Sequence, residues 1–255
     1  MNVLKTSLRL AVNAIKRWSQ ESGAVQPNSL QPPVLNQLIE QDSRYNMFKA
    51  AIEFINYEMV EGDILEFGVF TGMSLALLQA IELRSFYHGD NPRRVAGFDS
   101  FEGLVENPDQ HPRWAQSACK YNHGWHPLLK MGDRVTAQAC LDLFTACKLP
   151  APEIEVGHYA ESLPKVLGTK YKKVALAHID CDLYEPTSIV LTHLDQILAD
   201  GAVLLFDDWY HYKGNPNKGE SRAFREFLHA HPHWQAIPYM PYAVFRQSFI
   251  MSKRS

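Results

Sequence analysis

The stretch from Ala175 to Trp209, ALAHIDCDLYEPTSIVLTHLDQILADGAVLLFDDW, decides how this chain folds. Each of its two apolar runs is closed by acids, Asp180 and Asp182 after ALAHI, Asp207 and Asp208 after AVLLF. Between the runs, Thr187 to Leu198 has the apolar spacing of an amphipathic helix, and Asp200-Gly201 reads as a turn. Two buried strands joined through a helix run parallel, so both end on the same edge of a sheet. The carboxylates then converge in one crevice, where like charges a few Å apart repel by roughly 4 kcal/mol per pair unless a cation or protons intervene. With oxygen donors alone on offer, magnesium is favoured over zinc, and calcium or manganese are substitutes.

Outward from this stretch the same alternation repeats. DILEFGVF (63–70) reads as a buried strand, TGMSLALLQAIELR (71–84) as a helix and RRVAGFDSF (93–101) as a second strand. Upstream, Met47, Phe48, Ala51, Ile52 and Ile55 form the stripe of an amphipathic helix ended by Gly62. Downstream, GESRAFREFL (219–228) is amphipathic, with Phe224, Phe227 and Leu228 inward and Arg222 and Arg225 solvated. AVFRQSFIMSK (243–253), after a Pro-rich turn at Pro238 and Pro241, reads as an edge strand or hairpin. The pattern is a doubly wound, mostly parallel α/β fold. Residues 103–132 break it: rich in His, Pro, Trp and Asn, they read as a lid or substrate-contact insertion.

At 255 residues with 46% hydrophobic content, the chain suffices for one α/β domain over residues 42–255, preceded by a helical and connector segment, 1–41. A formal charge of −3 offers no broad basic field, which excludes nucleic acid as the expected partner. Cys119, Cys140, Cys147 and Cys181 show no CxxC pairing and read as free thiols of a reducing, cytoplasmic setting. Leu4, Leu8, Ala11 and Ile15 mark a basic amphipathic helix too short and too charged to span a bilayer. Docking on its own domain or on a sister subunit is the expectation, rather than a membrane.

The run EFGVFTG (66–72) follows a strand and opens a helix, so Gly68 and Gly72 let backbone approach a ligand at the helix N-terminus. It lacks the GxGxxG of dinucleotide sites; an acidic residue followed by GxxxG is instead associated with S-adenosylmethionine. Asp99, one strand-helix-strand unit further on, is placed to accept hydrogen bonds from ribose hydroxyls.

Together EFGVFTGMS, GFDSFEGL, HIDCDLYEPT and LLFDDW resemble the macrocin O-methyltransferase family, whose metal-dependent enzymes methylate sugar hydroxyls on natural products. The resemblance runs from about Asp42 to Leu228. It implies a class I S-adenosylmethionine-dependent fold with a seven-stranded sheet, one magnesium ion and a small-molecule acceptor such as a glycosylated natural product. Carried onto this chain, it makes Asp180, Asp207 and Asp208 the metal ligands and Asp182 the general base. Glu66, Gly68, Gly72 and Ser74 match the methionine region, Asp99 and Ser100 the ribose region, and His158 to Ser162 the adenine region. Cys181 stands where relatives often carry Gly. The family also implies a homodimer or larger assembly, with N-terminal helices closing neighbouring sites.

The chemistry suits these residues. A sulfonium donor has a neutral leaving group and needs no general acid, so the task is to deprotonate a weak hydroxyl nucleophile; a divalent cation lowers that hydroxyl's pKa and a nearby carboxylate takes the proton. His178, on the strand before Asp180, reads as a buried, hydrogen-bonded histidine rather than a ligand. Tyr184 and Glu185 either shape the site or, with Pro186, start a helix. Three alternatives stand beside this reading. A catechol or phenolic O-methyltransferase would typically carry Asp-Asn in place of Asp207-Asp208. A DxD glycosyltransferase would leave EFGVFTG and Asp99 without a purpose. A silent binding module would keep the acids without turnover.

Overall fold

The computed structural model describes Leu35 and residues 42–85, 92–103 and 134–254. The expected N-terminal amphipathic helix, Cys119 and all but the first residue of the 103–132 insertion lie outside the described residues.

The elements follow in the order α1 (Tyr45–Tyr57), β1 (Asp63–Phe67), α2 (Met73–Glu82), β2 (Val95–Asp99), α3 (Ala137–Ala146), β3 (Glu153–Val156), α4 (Tyr159–Val166), β4 (Val174–Ile179), α5 (Tyr184–Leu194), β5 (Leu198–Phe206), α6 (Gly219–Ala230), β6 (Trp234–Tyr242) and β7 (Arg246–Lys253). The strands form one seven-stranded sheet of order β3-β2-β1-β4-β5-β7-β6, with β7 antiparallel to both neighbours and the others parallel. This is the doubly wound fold with the expected number of strands. β4 is buried along its whole length, as a central parallel strand covered on both faces must be. On one face Leu176 and Leu205 pack with Phe48, Ile52, Leu75 and Phe144 from α1, α2 and α3. On the other, Ala177, Ile179 and Phe206 pack with Leu163, Leu191 and Phe224 from α4, α5 and α6. The stripe read in α1, from Met47 to Ile55, is buried as expected, and α5 starts at Tyr184-Glu185-Pro186.

The structure corrects local readings. Asp200-Gly201 is not a turn before β5 but lies within that strand, where the pairing with β4 shifts register between Val174 and Leu176. A left-handed φ of 85° at Gly201 absorbs the irregularity. The Pro-rich segment read as a turn is strand β6, which tolerates Pro238 and Pro241 because it is the sheet edge and needs no donor on its open side. The closing hairpin forms, with β7 inside the sheet rather than at its edge. Because β7 runs antiparallel to β5, its first residue, Arg246, emerges beside Asp207 at the carboxyl end of β5. Cys140, Cys147 and Cys181 are free thiols, and among the described residues no helix is long and apolar enough to cross a membrane.

Candidate active site

The carboxyl edge carries two linked regions. The first is the glycine loop after β1. A Cβ on Gly68 would lie 1.9 Å from the Asp180 carbonyl oxygen, and one on Gly72 would meet Cys140 Sγ at 2.3 Å. Both residues have left-handed φ, so only glycine fits either position. The loop is clamped by Asp99: Oδ2 accepts from the Val69 and Phe70 amides at 2.9 and 2.8 Å, and Oδ1 from the Phe101 amide at 2.7 Å. The residue read as a ribose acceptor is therefore also what shapes the loop.

Around it the other expected residues take distinct places. Ser74 is buried in the first turn of α2. Ser100 accepts from the Glu102 amide at 3.2 Å, and His158, at the start of α4, lies 3.4 Å from Glu102 with its ring largely exposed. Ser162 is buried and donates to the His158 carbonyl at 3.0 Å, which commits its hydroxyl to its own helix.

The second region is the acid edge, where the tips of β4 and β5 bring Asp180, Asp182, Asp207 and Asp208 together as the parallel reading requires. They fall into two groups with ligand atoms within 4.8 Å of one another: His178, Asp180 and Asp207; and Asp182, Asp208 and His211. His178 is fully buried and bridges Glu66 Oε1, at 2.8 Å from Nδ1, to Asp207 Oδ1, at 3.3 Å from Nε2. Burial opposes its charge, yet the hydrogen bonds to Asp207 and Glu66 prevail and raise its pKa to about 9. Glu66 thus joins the glycine loop's strand to the metal-type edge.

Arg246 grips both oxygens of Asp207, with Nη2 donating to Oδ2 at 2.9 Å. Arg44, held by Asp42, approaches Asp180 Oδ2 at 3.7 Å. Burial would raise the Asp207 pKa, but His178, Arg44 and Arg246 hold it well below the usual carboxylate range. Asp180 behaves oppositely: burial, then Asp207 and Asp208, push its pKa well up. Asp182 is raised by burial, then by Asp208 and Asp180, and its backbone sits at a left-handed φ of 60°. The cations gather on the Asp207 side. On the other side Asp208 Oδ2 is buried without a hydrogen-bond partner among the described residues, and His211 Nδ1 lies 2.8 Å from Oδ1.

Sequence reasoning passed over Glu220. It is fully buried at the start of α6; its Oε2 accepts from the Asp208 amide at 2.9 Å and its Oε1 from the Cys181 amide at 3.4 Å. An acid in the first turn of an amphipathic helix looks like an ordinary dipole partner, which hid it. Arg246 and the reach of Arg44 towards Asp180 carried no sequence signal, since Asp207 and Asp180 are remote from them in the chain. His178 matches its reading as a buried, hydrogen-bonded residue.

The fold with its glycine loop and acid edge is that of the class I methyltransferases. It matches the O-methyltransferase NovP at a TM-score of 0.64 with 19% identity, covering 98% of both chains. It also matches CalS11, a calicheamicin methyltransferase, at 0.63 with 22% identity, covering 94% of this chain and 91% of that one. Residues 6–235 match the model of the family described as Macrocin-O-methyltransferase (TylF), and the chain belongs to that family. A relative from Streptomyces olivaceus, 8-demethyl-8-(2,3-dimethoxy-alpha-L-rhamnosyl)-tetracenomycin-C 4'-O-methyltransferase, is 29% identical over 169 residues, which span 65% of this chain and 60% of the relative.

Proposed function

We propose that this protein transfers the methyl group of S-adenosylmethionine to a hydroxyl on the sugar of a natural product, with magnesium at the acid edge and Asp182 as general base. Family membership supports the reaction class, and the Streptomyces olivaceus relative, named for methylating the 4′ oxygen of a rhamnosyl group, supports the acceptor. The observation that carries the mechanism is the convergence of Asp182 with Asp208, whose Oδ2 is buried and has no hydrogen-bond partner among the described residues.

The acid edge fits a hard divalent cation. Arg44, Arg246 and His178 offset charge around Asp207, but on the other side burial and the neighbouring Asp208 raise the pKa of both Asp182 and Glu220. Asp180, Asp207 and Asp208 would hold magnesium, which when bound supplies electrostatic polarisation of the acceptor hydroxyl. Arg246 fixes the orientation of Asp207, and Asp182 takes the hydroxyl proton onto its carboxylate as the acceptor oxygen bonds to the methyl carbon and the carbon–sulfur bond breaks. The Asp99-clamped loop with Glu66, Gly68, Gly72 and Ser74 holds the donor, and Ser100, His158 and Ser162 lie towards its ribose and adenine.

Asp182→Asn is expected to lower kcat by about 10²–10⁴-fold while S-adenosylhomocysteine and manganese binding persist. Turnover at the wild-type rate would remove Asp182 from the mechanism. We further propose a cytoplasmic homodimer or larger assembly; a monomer in gel filtration of the full chain would remove the assembly.

A further inference from the structure

The acid edge is assembled from two chain segments that are separated by α5, and both are tied to one side chain of α6. Glu220 accepts at Oε1 from the amide of Cys181, which lies between Asp180 and Asp182, and at Oε2 from the amide of Asp208. An acid at a helix start ordinarily faces water near its own first turn. Glu220 instead points inward and is fully buried, although burying a carboxylate is costly unless its oxygens are occupied. The chain before it is shaped for that delivery. Tyr212 and Lys213 both take left-handed φ, and Gly219, which opens α6, has no room for a Cβ, which would lie 2.7 Å from the Tyr212 ring.

We infer that Glu220 is a positioning residue for the metal: it sets the separation between the Asp180–Asp182 turn and the Asp207-Asp208 pair. The inference rests on the magnesium reading. Glu220 belongs to neither group of converging ligand atoms, and its oxygens are turned to the backbone amides of the two segments. Outer carboxylates of this kind orient ligands, and their loss typically weakens metal affinity about 10–100-fold.

The test is manganese binding by electron paramagnetic resonance on the full chain, comparing wild type with Glu220→Gln and Glu220→Asp. Gln keeps the size but turns an NH₂ against one of the two amides. Asp keeps the carboxyl group but is a methylene too short to span both segments. The dissociation constant for manganese is expected to rise about 10–100-fold in each variant. S-adenosylhomocysteine affinity measured in chelator should be unchanged, since the Asp99-clamped loop is untouched. Lower melting temperatures with wild-type manganese affinity would mean a merely structural Glu220 and overturn the inference. Either variant suffices if the other fails to give a native near-UV spectrum. No manganese binding by the wild type would bring down the magnesium reading itself, and this inference with it, an outcome separable because it is seen before any substitution.

Discussion

The glycine loop and the acid edge are built with the same device and held by different physics. In each, one carboxylate gathers backbone amides: Asp99 takes those of Val69, Phe70 and Phe101, and Glu220 takes those of Cys181 and Asp208. Asp99 stands beside the loop it shapes, with no other carboxylate in its hydrogen-bond set. Glu220 stands behind Asp208, Asp180 and Asp207, and its pKa is raised well above normal by burial and then by Asp208. The donor side is thus a loop held by hydrogen bonds to a single carboxylate. The acid side is a charge cluster whose stability depends on what balances it: Arg246, His178 and Arg44 around Asp207 and, in the proposed function, a divalent cation held by Asp180, Asp207 and Asp208.

Removing a cation from the acid side should do the most damage. Arg246→Met leaves Asp207 buried without its two-pronged partner and is expected to lower unfolding free energy by about 4 kcal/mol in urea titrations. If it costs no more than a broken amide contact on the donor side, the charge-held description of the acid side is wrong.

The pH dependence sharpens the same contrast. His178 has a folded pKa of about 9 against an ordinary 6.5, so its charged form contributes fully below pH 6.5 and that contribution disappears as the pH rises through 9. In chelator, stability should fall on the order of 3 kcal/mol across this window. A flat profile would mean that the imidazole between Glu66 and Asp207 carries no charge.

The smallest effect is expected on the donor side. Asp99→Ala strips the Val69 and Phe70 amides of the glycine loop, and the Phe101 amide after β2, of their acceptor, and because water reaches part of the loop the cost is about 2 kcal/mol. S-adenosylhomocysteine binding should be lost in calorimetry while manganese binding is kept. Loss of both would show that the regions are not separable, a result that the contact between Gly68 and the Asp180 carbonyl would then explain.

Much of this arrangement was legible in the sequence because the signals are local. Apolar runs of strand length, acids at their ends, a helix period between them and glycines after Glu66 are properties of neighbouring residues, and backbone sterics and burial act on them directly. They determined the doubly wound sheet, the convergence of Asp180, Asp182, Asp207 and Asp208, the glycine loop and the buried character of His178. The tertiary structure alone decided the rest. Arg246, Arg44 and Glu220 reach their partners across long separations in sequence, and which cation balances which carboxylate is set by strand order and helix placement. Strand order also placed β7 inside the sheet and let Pro238 and Pro241 sit in an edge strand, since a missing donor matters only where a neighbour would have used it. The second duty of Asp99 as loop clamp was hidden for the same reason: a side chain's residue type states what it can accept, and only the fold states which amides come to it.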